Sequence, residues 1–351
     1  MKAVIVGAGV AGLGIGWRLA QAGVATTILE RGEPGQGASF AAAGMIAVTA
    51  ETADAPPAEA ALAEQSRALW PGFAAELEAT TGIAIDYRQN GALMLGALPA
   101  DLPPGCDWLD AAALQARAPM LAAARGAVWA PQEAQVDSRA LARALVEAFR
   151  RAGGRLLTGE TVTGIEPGAA ITATGRHTGD AVIVAAGPWS AALGLPVRPV
   201  KGQMIALAPP AGAGLPEPVI WGNGVYLVPR KDRLLVGATM EEAGFDMALA
   251  AAARDDLRAR AEALIPGLKD WTLAEHWAGL RPASPDGLPL LGRLANGVFV
   301  AAGQYRNGIL FAPAIADHLR DLVLDRAAVI PEFDPRRFSV CRGPHPSTGS
   351  G

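Results

Sequence analysis

Three glycines at positions 7, 9 and 12 follow the short β-branched run "KAVIV" in the order G-x-G-x-x-G. That spacing can cradle phosphate: the first glycine permits a tight turn and the second lets backbone N–H groups approach a pyrophosphate. The third lets a helix pack closely on the strand. Val10 and Ala11 fill the intervening positions, and Leu13 to Ala22 has helix-forming character. "ATTILER" reads as a second strand ending at Glu30, 18 residues beyond Gly12, where a carboxylate can accept hydrogen bonds from ribose hydroxyls. In a chain with 42 glycines the motif alone is weak. Strand, glycine turn, helix, second strand and terminal acid together specify a dinucleotide site.

Other residues offer ligand chemistry. Arg281, in "GLRP", follows an apolar strand-like stretch and precedes a proline, which puts its guanidinium at a strand end. There it can form a two-pronged pair with a ligand carboxylate or a structural pair with an Asp or Glu. Tyr226, one of three tyrosines, sits in "GVYLVPR" on a predicted strand, as a half-buried packing residue or as a phenol aimed at a ligand. "GQYRNGIL", residues 303 to 310, reads as the mouth of a helix. Arg306 opposes the helix dipole there, a cost tolerable where an anion must be held. His276 lies five residues from Arg281, on the opposite face of a strand, and reads as a satisfied core histidine. No histidine or carboxylate stands out as a catalytic base. Cys106 and Cys341 are far apart and have no histidine at ligand spacing, so neither a disulfide framework nor a metal site is expected.

The elements that must position these residues alternate along the chain. "DSRALARALVEAFRRAGG" is an amphipathic helix over 137–154, with Leu141, Leu145, Val146 and Phe149 on one face, an Asp/Ser start and a Gly-Gly stop. "RLLTGETVTGIEP" and "AAITATG" read as a strand pair. "DAVIVAAGPWS" and "GVFVAAGQYRNGIL" each run a buried strand into Ala-Ala-Gly. Three strand ends therefore meet glycine turns, as they do at the ligand crevice of an open parallel sheet. Residues 85–134 and 198–278 differ, with short strands broken by Pro and Gly as in an antiparallel sheet. The expected fold is α/β, a Rossmann-type nucleotide domain (1–84, 135–197 and 279–340) interleaved with an antiparallel-sheet α+β substrate domain (85–134 and 198–278). A flexible tail, 341–351, follows.

Composition narrows the function classes. The chain has 351 residues, 51% of them hydrophobic, and a formal net charge of −4. No stretch clusters Lys or Arg as a nucleic-acid partner requires. No span of twenty apolar residues is free of glycine turns, so no transmembrane segment is expected. Lys2 and the apolar run after it share the start of a signal peptide, with "AQA" as a cleavage site, but the strand–glycine–helix reading explains more residues. A reducing cytoplasm is the simplest compartment.

The motifs "VIVGAGVAGL", "ASFAAAGMI", "YLVPRKDRLLVGATM", "WAGLRPASPDGLPLLGR" and "AAGQYRNGILFAP" resemble the glycine oxidase and D-amino acid oxidase group of flavoproteins, nearest to the thiamine-biosynthesis type. The resemblance covers nearly the whole chain. It implies FAD held without a covalent bond, since "GLRP" lacks the cysteine by which related sarcosine oxidases attach flavin. It also implies oxidation of glycine, another small amine or a D-amino acid by hydride transfer from Cα to flavin N5. Dioxygen would then give hydrogen peroxide, and the imine would hydrolyse to an oxo acid and ammonia. By resemblance Arg281 and Tyr226 hold the substrate carboxylate, Met240 lines the substrate pocket and Arg306 lies near substrate and flavin. Cofactor contacts are expected at Gly7, Gly9, Val10, Ala11, Gly12, Glu30 and Arg31. They are expected also at Ser39, Ala42, Ala43, Gly44 and Met45, at Val162, at Ala186, Gly187 and Trp189, and at Gly303 with Arg281 and Arg306. At the helix start, the free N–H groups of Asn307, Gly308, Ile309 and Leu310 would stabilise negative charge on the flavin. The resemblance further suggests a homo-oligomer.

Two positions depart from the family pattern. Gln304 replaces a usual histidine, and "IWGNGV" before Tyr226 is glycine-rich where close relatives place another. D-alanine, D-proline, sarcosine and bulkier D-amino acids therefore compete with glycine. The alternative activity is a D-amino acid dehydrogenase passing electrons to quinone or another acceptor. A nucleic-acid-modifying flavoenzyme conflicts with the charge, and a flavin-binding module without turnover conflicts with the intact carboxylate-clamp motifs.

Overall fold

A computed structural model describes residues 1–52 and 55–341, so most of the expected tail, 342–351, lies outside the described residues. "KAVIV" forms the strand Lys2–Val6, followed by the helix Val10–Gln21 and the strand Ala25–Glu30. Both strands join a six-stranded sheet. Its order is Leu290–Arg293, Phe299–Ala302, Ala181–Val184, Lys2–Val6, Ala25–Glu30 and Arg155–Thr158. Neighbouring strands pair in parallel except Leu290–Arg293, which runs antiparallel to Phe299–Ala302. The ends of three central strands, followed by Gly7, Ala185-Ala186-Gly187 and Gly303, therefore share one edge.

The two-residue period of the strands assigns the faces. Ala3, Ile5 and Ile28 meet the helices with Leu13, Trp17, Phe149 and Ile315. Val4, Val6, Leu29 and Val184 pack on the other face with Ala170, Leu195 and Val300. The amphipathic helix is Ser138–Arg151, and the Asp137 side chain caps it by accepting from the N–H groups of Arg139 and Ala140, both at 2.9 Å. The expected strand pair after it divides differently. Arg155–Thr158 extends the parallel sheet beside Ala25–Glu30, while Val162–Glu166 pairs with Ala169–Thr172 in a separate three-stranded sheet. The turn at Gly159 separates the two, with the Glu160 N–H donating to the Glu30 carbonyl.

An eight-stranded sheet takes its strands from 92–130 and 198–283, antiparallel except where Val219–Gly222 runs parallel to Ala92–Leu95. One continuous strand, Thr272–Ala283, runs through the 278/279 junction. Alternation splits this sheet too. Ile205, Leu207, Leu227 and Val236 pack under Leu257 and Leu264 of the helix Ala251–Leu264. Met204, Ala206, Val228 and Trp277 face Ala41 and Ala43, and Tyr226 packs on that side. The face carrying Tyr226 is thereby turned toward the nucleotide sheet.

Backbone segments approach closely at the glycine turn. Gly7 has φ +101°, in the left-handed region that favours glycine, and a β-carbon on Gly12 would lie 2.0 Å from the Gly7 carbonyl oxygen. Gly12→Ala should lower unfolding stability by at least about 1–3 kcal/mol, the usual cost of overpacking. Urea denaturation of the purified variant measures it, and an unchanged midpoint would refute the close-contact account.

Candidate active site

A cleft of about 400 Å3 runs between the carboxyl ends of the nucleotide-sheet strands and the inner face of the eight-stranded sheet. At one end lie Gly7, Gly9, Val10 and Ala11. Gly9 starts the helix Val10–Gln21, and the Val10 N–H donates to Ser39 Oγ at 3.0 Å. The Glu30 carboxylate also lines the cleft and accepts from the N–H groups of Ala8 (2.7 Å) and Gly32 (3.0 Å), so it braces the turn. Arg31 stacks 3.5 Å from the Trp189 ring centroid, and Val162, Ala186, Gly187 and Trp189 line the same end.

The middle of the cleft is backbone and the small residues Ala42, Ala43 and Gly44, followed by Met45. Buried Arg230 stitches this loop down by donating to the carbonyls of Ala43 and Val136. Its burial pulls the guanidinium down to about 10. Ser138 Oγ holds the Ala42 carbonyl at 2.7 Å.

Arg281, Tyr226, Arg306, Gly202, Met204 and Gln304 line the far end. Arg281 stands opposite Val200 in the strand register, and its guanidinium lies over Gly202, where a β-carbon would come within 2.4 Å of Nη1. Nη1 donates to the Thr239 carbonyl at 3.2 Å, and Arg281 has no carboxylate partner among the described residues. The Tyr226 ring lies over Gly237, and its hydroxyl sits 3.7 Å from Met204 Sδ. Burial pushes the phenol up in pKa, while the Arg281 guanidinium pulls it back. The Gln304 residue is buried, and its side-chain Nε2 has no partner among the described residues.

The "RNGIL" segment differs from expectation. The helix begins at Ala312, and residues 305–311 form turns before it. The Asn307 N–H is used by the Gln304 carbonyl at 2.9 Å, whereas those of Gly308, Ile309 and Leu310 have no acceptor among the described residues. Trp70 Nε1 (2.9 Å) and Ser66 Oγ (2.6 Å) both donate to the Leu310 carbonyl and pin the turn to the helix Pro57–Thr81. Arg306 is answered by a carboxylate: Nη2 lies 2.8 Å from Glu51 Oε2.

Most of the residues singled out in the sequence meet in this cleft. Gly12, Gly303 and Leu310 do not line it, the first because it packs on the turn and the last because its side chain is in the core. Met240 is 61% exposed, with Sδ 3.4 Å from the Tyr305 hydroxyl, outside the cleft lining. His276 bonds Gln203 at 3.1 Å.

A family model described as DAO, FAD dependent oxidoreductase, matches residues 2–322. The chain belongs to this FAD-dependent oxidoreductase family. A bifunctional ThiO/ThiG protein of Synechocystis sp. is 37% identical over 360 residues, 97% of this chain, and the chain spans 54% of that relative. The glycine oxidase of Geobacillus kaustophilus is 36% identical over 366 residues, covering 96% of both chains, and its crystal structure superposes with a TM-score of 0.90 over 96% of this chain and 99% of that one. An iminodiacetate oxidase from Chelativorans sp. superposes with a TM-score of 0.86 at 28% identity, covering 95% and 98% of the two chains.

The cofactor of the DAO family is FAD, and the cleft fits it on its own terms. Gly9 presents an open face to the cleft, since a β-carbon there would meet only Ser39 Oγ, at 3.4 Å. The start of a twelve-residue helix supplies N–H groups for a pyrophosphate. The unpartnered Gln304 Nε2 and the free N–H groups of Gly308 and Ile309 offer donors at the other end. The sequence reading missed Glu51, whose only local signal is an acid six positions after Met45 in a run of small and apolar residues.

Glu51 ends the one-turn helix Val48–Glu51, whose Thr49 N–H donates to Glu133 Oε1 at 2.8 Å. Glu133 is 1% exposed, its Oε2 has no partner among the described residues, and burial raises its pKa from 4.5 to about 6. Below pH 4.5 the carboxyl is protonated folded or unfolded, so the shift costs nothing. As pH rises from 4.5 to about 6 the unfolded carboxyl ionises first, and stability falls by about 2 kcal/mol. Glu133→Gln should therefore gain about that much relative to the parent between pH 4 and pH 7. Paired urea titrations across that range measure the difference, and a flat difference would contradict it.

Proposed function

We propose that this chain is an FAD-dependent oxidase of a small amine carrying one carboxylate, glycine being the reference substrate, with Arg281 as the carboxylate anchor. The observation that carries the reading is a guanidinium in the cleft with no carboxylate partner among the described residues, beside a half-buried phenol and the expected flavin end. Similarity to the glycine oxidase of Geobacillus kaustophilus supports the substrate class.

Bound FAD supplies the two-electron acceptor for converting the substrate's Cα–N single bond to an imine. The chain's own residues do the rest. Arg281 binds the carboxylate in a charge-assisted pair, and the Tyr226 hydroxyl donates a further bond, which together fix Cα. Met204, Met45 and the small residues 41–44 exclude water from the space between. Gly7, Gly9, Val10 and Ala11 hold the pyrophosphate without a covalent link, while Glu30, Arg31, Val162 and Trp189 surround the nucleotide. Gly308 and Ile309, which line the cleft, offer free backbone N–H groups to the flavin, and Arg306 adds positive field. The products under air are the oxo acid, ammonia and hydrogen peroxide. Residues 1–84, 135–197 and 279–340 serve the cofactor and 85–134 and 198–278 the substrate, a division the two large sheets support except at 278/279, where the strand Thr272–Ala283 of the eight-stranded sheet carries Arg281 to the substrate end. No helix among the described residues is long and apolar enough to cross a membrane. We place the protein in the cytoplasm as a homo-oligomer.

An aerobic peroxide assay against glycine, sarcosine, D- and L-alanine and D-proline tests the activity. Peroxide with a small amine is the expected result. Flavin bleaching without peroxide would instead indicate the dehydrogenase. Arg281→Ala should raise KM by about 30-fold or more while FAD bound per chain stays at the parent level, because removing one partner of a charge pair costs about 2–5 kcal/mol. An unchanged KM would remove Arg281 from the carboxylate role.

A further inference from the structure

Four charged residues lining the cleft, Glu30, Arg31, Glu33 and Glu160, belong to segments at its nucleotide end. The other three, Arg281, Arg306 and Glu51, line its far end. Glu51 is the most enclosed of the ion pair, with 9% of its side chain exposed against 38% for Arg306. Burial pushes its carboxyl up in pKa, while the charges of both Arg306 and Arg281 pull it back, so the one carboxylate lies in the field of both guanidinia. Behind the pair, Glu59 is engaged by Asn307 Nδ2 at 3.1 Å and offers Arg306 no second partner.

The three charges that line this end sum to +1, with Glu59 outside the lining behind Asn307. A bound monocarboxylate brings that to zero. A second carboxylate would leave a net negative charge in a partly desolvated pocket, and it would meet Arg306 already engaged and Glu51 beside it. We propose that Glu51 is a specificity-determining residue: by holding Arg306 in an ion pair it leaves the pocket with one unmatched positive charge, and so selects amines with one carboxylate over those with two. The inference rests on Arg281 as carboxylate anchor. Selectivity here comes from repulsion of the wrong ligand as much as from attraction of the right one.

Binding without turnover tests it. Acetate and malonate, titrated into FAD-loaded protein and read from the change in flavin absorbance, carry one and two carboxylates and nothing oxidisable at an amine. The parent should bind acetate at least about tenfold more tightly than malonate. Glu51→Gln should move that ratio by about tenfold or more toward malonate. Glu51→Asp, which keeps the charge, should restore the parent preference. A parent that binds the two equally would overturn the inference without any variant, and so would a Gln variant whose ratio stays at the parent value. Arg281→Ala separates this from the underlying reading. If it abolishes acetate binding, the anchor stands whatever Glu51 does; if acetate binding is absent or indifferent to Arg281, the anchor itself fails.

Discussion

The Gly7 carbonyl lies where a side chain on Gly12 would have to begin, 2.0 Å from the place a β-carbon would take. That contact presses the start of the helix Val10–Gln21 onto the end of the strand Lys2–Val6, and much else depends on it. A β-carbon on Gly7 would strike the carbonyl of Ala185, so the same turn also fixes how closely the strand Ala181–Val184 can approach. Helix start, Ala185-Ala186-Gly187 and the Glu30 carboxylate thereby converge on one edge of the sheet. Free N–H groups at that edge are costly to bury and cheap to satisfy with an anion, which makes the edge a binding site.

The substrate end is built by a different constraint, the two-residue period of the eight-stranded sheet. Alternation sends Ile205 and Leu227 under the helix Ala251–Leu264 and turns Met204 and Tyr226 toward the cleft. The register then decides where Arg281 ends up. Pairing Gly202 with Gly279 and Val200 with Arg281 leaves a glycine beneath the guanidinium, and a second glycine, Gly237, lies beneath the Tyr226 ring. Both polar groups rest on bare backbone, so each can lie flat along the sheet and keep its polar atoms at the cleft.

Arg306 shows how charge and position are separated. Its segment is held by neutral hydrogen bonds, from Trp70 and Ser66 to the Leu310 carbonyl. Its charge is balanced by Glu51, from a one-turn helix that is itself held by Glu133. Part of the cost of that arrangement is visible at Glu133, a carboxylate kept almost wholly from solvent with one oxygen unpaired.

Local pattern determined much of this protein. The glycine turn, the strands Lys2–Val6 and Ala25–Glu30, the capped helix Ser138–Arg151 and the two strands ending in Ala-Ala-Gly were legible because each depends on residues within a few positions of one another. The steric needs of glycine and the periods of strand and helix act at that range. Motif resemblance added the family and its cofactor. Tertiary structure decided what involves distant segments. It moved the helix start from Asn307 to Ala312, left Met240 exposed, and put Arg155–Thr158 in the parallel sheet and not beside its sequence neighbours. It also supplied Glu51 to Arg306 from 255 positions away. An acid in "AVTAET" has no local reason to be buried. Only the fold, by enclosing it beside two guanidinia, gives its charge an energetic consequence.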